Sequence, residues 1–203
     1  IIKTKLNRKK KYTFIDIGAN VGLVSRQVLN ENENIEKFVC VEPVNTTYDC
    51  LQMNSSVLKN SKLFNFGLGN KNEKKNIFID KSNHGNASLE KTMMKLSKHK
   101  KYYTEKILIK SVRTFFNLIK SEIKADKLII KIDTQSFDEL ILSLIPMEVI
   151  KKTVLINYEL TSIDGIKKPR VSENEFKKRI SNFNTIWSEE IKDIDASWLI
   201  KEL

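Results

Sequence analysis

Cysteine, histidine, proline and glycine are all scarce in this chain, and each shortage closes off a class of protein. The two cysteines, Cys40 and Cys50, form no C-x-x-C pair and have no histidine beside them, so neither a disulfide scaffold nor a zinc site is expected. Both read as buried free thiols, which suits a reducing cytoplasm. The two histidines, His84 and His99, lack ligand spacing to carboxylates, and no resident metal is expected. No apolar run approaches the roughly 18 residues that span a bilayer. With only six glycines and three prolines, a place where glycines cluster is informative.

Lysine, by contrast, is abundant. The net charge is +11, with the densest runs at Arg8-Lys9-Lys10-Lys11 and Lys98-His99-Lys100-Lys101. The lysines are spread over every expected element instead of forming one stripe, so the charge argues against nucleic acid as the main partner. At 203 residues, 40% hydrophobic and 30% charged, the chain is expected to be one soluble domain, 1–203, with a substantial core. Residues 1–11 read as a basic lead-in. A start at Ile1 points to a piece of something longer, which leaves an upstream targeting signal open.

The chain is organised around Thr13-Phe14-Ile15-Asp16-Ile17-Gly18-Ala19-Asn20-Val21-Gly22. The apolar run predicts a strand buried on both faces, as in a parallel sheet, and the glycine turn opens a helix from about Val21. Gly18 and Gly22 let a ligand lie against the main chain. Asp16 is expected to face the crevice at the carboxyl end of the strand. The spacing Asp16-x-Gly18-x-Asn20-x-Gly22 has no third glycine in register and no Lys-Ser/Thr, unlike the polyphosphate-binding loops. An acid at the mouth favours a ligand carrying positive charge, and the sulfonium and ammonium groups of S-adenosylmethionine fit that description.

A second mark follows the first helix. Phe38-Val39-Cys40-Val41 reads as another buried strand, ending in Glu42-Pro43. An acid at the end of the second strand, about 20 residues beyond the glycine turn, is placed to accept hydrogen bonds from a ribose diol. Pro43 stops the ladder and starts a helix from about Asn45 to Leu58.

Further along, Leu63-Phe64-Asn65-Phe66 reads as a third strand and Gly67-Leu68-Gly69-Asn70 as its turn, with Gly67 and Leu68 as candidate adenine contacts. The α/β rhythm breaks over residues 75–112, where two extra strands flank a polar stretch, Ser82-Asn83-His84-Gly85-Asn86, expected to border the acceptor side of the cleft. His84 is a candidate there, as substrate contact or solvated loop residue. The rhythm resumes with a helix from Arg113 to Ile123 and the strand Lys127-Leu128-Ile129-Ile130-Lys131-Ile132, which ends in Asp133. A helix through Leu140 and Ile145, a strand from Val154 to Glu159, a helix from Glu173 to Ile180 and strands near Asn184–Trp187 and Ser197–Ile200 complete the chain. Gln135 and Glu159 are further substrate-side candidates.

Taken together, Phe14 to Gly22, Val41-Glu42-Pro43, Gly67-Leu68-Gly69 and Ile130-Lys131-Ile132-Asp133-Thr134-Gln135-Ser136-Phe137-Asp138 resemble the FkbM-type methyltransferase family, from about Tyr12 onward. The resemblance implies an α/β class I methyltransferase (Rossmann-like) fold, a three-layer sandwich whose mostly parallel sheet has an antiparallel C-terminal edge. It also implies methyl transfer from S-adenosylmethionine to a hydroxyl of a sugar or other small metabolite. The cofactor-binding candidates are Asp16, Gly18, Ala19, Asn20, Gly22, Glu42, Pro43, Gly67 and Leu68. Most members have glycine where this chain has Ser136 and glutamate where it has Asp138, and the first difference bears on the turn beside Asp133.

Methyl transfer is an in-line displacement, so the acceptor oxygen must be held about 3 Å from the methyl. An alcohol is a poor nucleophile until its proton leaves, and Asp133 is the candidate base or orienting group; the alternative for it is a strand-end cap or a link to the neighbouring lysine. RNA methylation is the rival suggested by charge, but no Asn/Asp-Pro-Pro-aromatic turn and no aromatic cluster accompany the basic runs. A non-catalytic nucleoside-binding module is the other rival, which Ser136 would permit.

Overall fold

The apolar run opens the fold as expected: β1 (Tyr12–Ile17) has all six residues buried, the condition of a parallel strand covered on both faces. The structure, a computed structural model, describes residues 6–58, 60–96, 101–123, 127–161, 171–191 and 194–200. After β1 come α1 (Leu23–Glu31), β2 (Ile35–Val41), α2 (Asn45–Asn54), β3 (Ser61–Phe64), β4 (Gly67–Gly69), β5 (Glu73–Asp80) and β6 (Tyr102–Ser111). Then follow α3 (Val112–Leu118), β7 (Lys127–Ile132), α4 (Asp138–Leu144), α5 (Met147–Lys152), β8 (Thr153–Thr161), α6 (Glu173–Ile180), β9 (Asn184–Ile191) and β10 (Ile194–Ile200).

Seven of these strands form the main sheet, in the order β3-β2-β1-β7-β8-β10-β9. The five from β3 to β8 run parallel, and β10 lies antiparallel to both β8 and β9, so the expected antiparallel edge is present. Alternate residues of β1 feed two different cores. Ile15 and Ile17 pack with Phe115, Ile141, Val149 and Phe176 of α3 to α6, while Phe14 packs with Val28 and Leu51 of α1 and α2. Helices therefore cover both faces. Between β1 and β7 the chain reverses its direction of travel across the sheet, which puts a crevice at the carboxyl ends of those strands.

Several boundaries differ from the sequence reading. Gly67-Leu68-Gly69 is a strand, not a turn: it pairs parallel with β6 in a second sheet, ordered β4-β6-β5, and all three residues are buried. β3 begins at Ser61 and ends at Phe64, so Phe66 leaves the main sheet to pack on Phe115. The helix after Pro43 ends at Asn54 in a 3-10 turn, Ser55–Val57, and α3 stops at Leu118. The six-residue helix α5, which had no strong periodic signal, precedes β8. Residue 169 and its loop lie outside the described residues. Cys40 is buried and Cys50 half-buried, both as free thiols. Among the described residues no helix is long and apolar enough to cross a membrane, and no group of His, Cys, Asp or Glu is placed to hold a metal.

Candidate functional site

A cleft at the carboxyl ends of β1, β2 and β7 encloses about 690 Å³, including the part open to solvent. Eight sequence-predicted residues line it: Gly18, Asn20, Glu42, Pro43, Gly67, Leu68, Asp133 and Gln135. The turn after β1 is shaped for close approach. Gly18 has φ 75°, and a Cβ there would sit 1.8 Å from the carbonyl oxygen of Asp133, so only glycine fits. Gly22, at φ 85°, caps α1 from the left-handed region. It and Ala19 do not line the cleft; they shape and bury the turn from behind.

Asp16 does not face the crevice. It is fully buried and answered from inside the protein: Ser25 Oγ donates to its Oδ2 at 2.6 Å, and Lys131 Nζ lies 3.1 Å from its Oδ1. The cause is register, because Asp16 and Lys131 are direct partners on neighbouring strands and point to the same face. The Lys131 ammonium also donates to Gly18 O at 3.0 Å and lies 3.4 Å from Asp133 Oδ2. Burial acts to lower its pKa, but the charges of Asp16 and Asp133 outweigh that and hold it above the ordinary lysine value. One cation thus ties together the end of β1, the glycine turn and the end of β7.

Glu42 lines the cleft and is 6% exposed. Its Oε2 accepts the N–H of Asn20 and its Oε1 the N–H of Val44, each at 3.0 Å. Each oxygen keeps a second lone pair for a ligand hydroxyl. Burial pushes its pKa up to about 7 in spite of those two hydrogen bonds.

The opposite wall comes from the inserted segment. Ile107 and Ile109 of β6, Ile77 of β5, and Ala87 and Leu89 face the cleft with Phe66 and Leu68, giving a large apolar surface. Gly85, in the 3-10 turn His84–Asn86, reaches the cleft; the side chain of His84 lies outside the described residues. Ser88 fastens this segment to the turn after β7, donating from Oγ to Gln135 O at 2.7 Å.

That turn carries Asp133, Gln135, Ser136 and Asp138. Gln135 Nε2 donates to Asp133 Oδ1 at 3.1 Å, so both Asp133 oxygens are engaged and the expected link to a neighbouring lysine exists. Gln135 and Ser136 have φ of 50° and 90°, conformations that glycine adopts freely and serine does not. Asp138 is 1% exposed and binds Thr134 N at 2.8 Å, Thr134 Oγ1 at 2.6 Å and Glu159 N at 2.9 Å. Burial raises its pKa to about 6. It knots the turn to β8. Glu159 stands at the end of β8, half-buried and outside the lining of the cleft.

No family model and no curated protein matches this chain. Among solved structures, the methyltransferase FkbM from Methylobacillus flagellatus KT superposes with a TM-score of 0.56 at 11% identity, over 97% of this chain and 45% of that one. Precorrin-6y C5,15-methyltransferase from Geobacter metallireducens GS-15 gives 0.48 at 12% identity over 99% and 85%, respectively. An uncharacterized protein from Listeria monocytogenes serotype 4b gives 0.47 at 9% identity over 99% and 65%. This is the class I methyltransferase fold. At such identities the likeness is one of fold, and the chain spans less than two thirds of the length of the Methylobacillus and Listeria proteins.

Within that fold, sequence reasoning tied Lys131 to Asp133 alone and missed its reach to Asp16 and Gly18, along with Ser88, Thr47 and the isoleucine wall. Lys131 sits in a strand so apolar that its charge was itself a signal, since a lysine buried in a sheet demands a partner. Thr47, 5% exposed and lining the cleft, carries a hydroxyl with no hydrogen-bond partner among the described residues.

Proposed function

We propose that this protein binds S-adenosylmethionine in the cleft and transfers its methyl group to a hydroxyl of a small acceptor, a sugar or glycoside first among them. The observation that carries the reading is Glu42, an acid at the end of the second strand that lines the cleft and braces the glycine turn at the same time.

The residues suit the group. Gly18 lines the cleft without a side chain and Asn20 stands in the same turn, Glu42 keeps lone pairs for a ribose diol, and Leu68, Ile107 and Ile109 offer an apolar surface to a flat base. When bound, the cofactor supplies an electrophilic methyl on a sulfonium. The chain's part is then to hold an acceptor oxygen in line with it and to manage one proton. Asp133, lining the same cleft at the end of the next strand, is placed to engage the acceptor hydroxyl. Asp16 serves this site indirectly, through Lys131.

Calorimetry with S-adenosylmethionine tests the binding half. Incubation with a panel of sugars and glycosides, reading a mass gain of one CH₂ (about 14 Da) together with release of S-adenosylhomocysteine, tests the transfer half. Binding without turnover would leave a nucleoside-binding module, and methyl gain on RNA in place of glycosides would reverse the acceptor class.

A further inference from the structure

We infer that Glu159 takes the proton from the acceptor hydroxyl, while Asp133, clamped beside it, orients that hydroxyl. The inference rests on the methyl-transfer reading and assigns two roles within it.

Geometry separates the two acids. In the parallel pairing of β7 with β8, Lys131 lies opposite Asn157. Carried on two residues, that register sets Glu159 beside Asp133, next to the residues that line the cleft but just outside the lining itself. Asp133 is pinned, with Oδ2 at 3.4 Å from Lys131 Nζ and Oδ1 accepting from Gln135 Nε2 at 3.1 Å, and each oxygen keeps a lone pair for an acceptor hydroxyl. A carboxylate held by a buried cation on one oxygen and an amide on the other is fixed in place as an acceptor of hydrogen bonds, which suits it to orient a hydroxyl. Asp138, the third acid, is buried with its oxygens on Thr134 and the Glu159 N–H. The Glu159 carboxylate alone of the three has no hydrogen bond and no ion pair among the described residues.

The charges around it point the same way. Burial comes first, then the negative charges of Asp133 and Asp138, and together they push the Glu159 pKa up to about 7, with Lys131 offsetting part of the rise. On the other side, β10 sets the uncharged Ala196 opposite it. A carboxylate whose pKa lies near neutrality suits general-base work better than one in the ordinary range. In the step itself, the acceptor O–H proton moves to a Glu159 oxygen while the oxygen's electron pair forms the bond to the methyl carbon. The C–S pair leaves with sulfur as a neutral thioether, and Glu159 later returns its proton to water.

Two measurements on the full chain test this. In a chain labelled with ¹³C-glutamate, the carboxyl signal absent from Glu159→Gln should titrate with a midpoint of about 7. That midpoint should fall in Asp133→Asn, where a neighbouring negative charge is gone. A midpoint in the ordinary glutamate range, about 4.3, overturns the inference without any assay of activity. With methyl glycosides as acceptors, Glu159→Gln should slow the chemical step by about 10²–10⁴-fold and lose the acid limb of the pH profile, the fall in rate as the base is protonated, with affinity for S-adenosylhomocysteine unchanged. Asp133→Asn should be slower but keep the limb. Loss of the limb in Asp133→Asn and its survival in Glu159→Gln would exchange the two roles. Failure of the unaltered protein to bind S-adenosylhomocysteine would instead sink the methyl-transfer reading itself.

Discussion

The Glu42 carboxylate reaches from the end of β2 to the backbone N–H of Asn20, 3.0 Å away in the glycine turn that follows β1. One side chain therefore holds the turn in shape and presents itself to the cleft. Glu42→Ala should cost on both counts. It removes a charge-assisted bond to a ribose, worth roughly 1.5–3 kcal/mol, or about 10–150-fold in affinity for S-adenosylmethionine. It also strands the N–H groups of Asn20 and Val44, so thermal unfolding without ligand should move to lower temperature. Unchanged affinity by calorimetry would contradict the assignment.

The buried acids make stability and binding respond to pH in opposite directions. Folding raises the pKa of Glu42 from 4.5 to about 7 and of Asp138 from 3.8 to about 6, so each takes up a proton on folding. Their contribution to stability is greatest in acid and is lost as pH rises through those folded values. Lowering pH from about 8 to about 5.5 should therefore raise the unfolding temperature. Over the same interval Glu42 loses its charge, and affinity for S-adenosylhomocysteine should drop. Parallel changes in the two quantities would contradict this, and Glu42→Gln should flatten the binding curve.

Lys131 and Asp16 form a pair that cannot be broken one side at a time. Asp16 is fully buried, and Lys131→Met would leave its charge without a counter-ion at a cost of roughly 3–5 kcal/mol. Asp16→Asn combined with Lys131→Met should recover most of that stability, as chemical denaturation of the two variants would show. Equal loss in both would mean that the ammonium matters for Gly18 and Asp133 alone.

Ser136 occupies a backbone position suited to glycine, with φ 90°. Ser136→Gly should relieve about 1 kcal/mol of strain, offset in part by the contact its hydroxyl makes with Ser88 at 3.4 Å. The unfolding temperature is expected to stay level or rise. A clear fall would show that the Ser88–Ser136 contact outweighs the strain.

The parts of the site legible in the sequence are those in which one short stretch carries its own reason. β1 is buried throughout, β2 over its last four residues and β7 over its last five, and each runs into a polar or glycine end, Gly18, Glu42 or Asp133, that reaches the cleft. What escaped depends on partners far along the chain. Lys131 bonds the carbonyl of Gly18 across 113 positions, which strand register alone reveals. Gly67–Gly69 is a strand because β6 offers it an edge, against the weak strand preference of glycine. Asp16 looked like a mouth residue because its position was read without the lysine beside it. Ser88 became visible only once the inserted segment folded back onto the turn at Gln135.

The most direct test of S-adenosylmethionine binding in this cleft is a backbone NMR titration of the full chain with that compound. Saturable shifts should appear at Gly18, Asn20, Glu42, Gly67 and Leu68, and the separate groove lined by Leu140, Met147 and Arg179 should stay silent. No saturable change, or changes confined to that second groove, would contradict the assignment of the cleft.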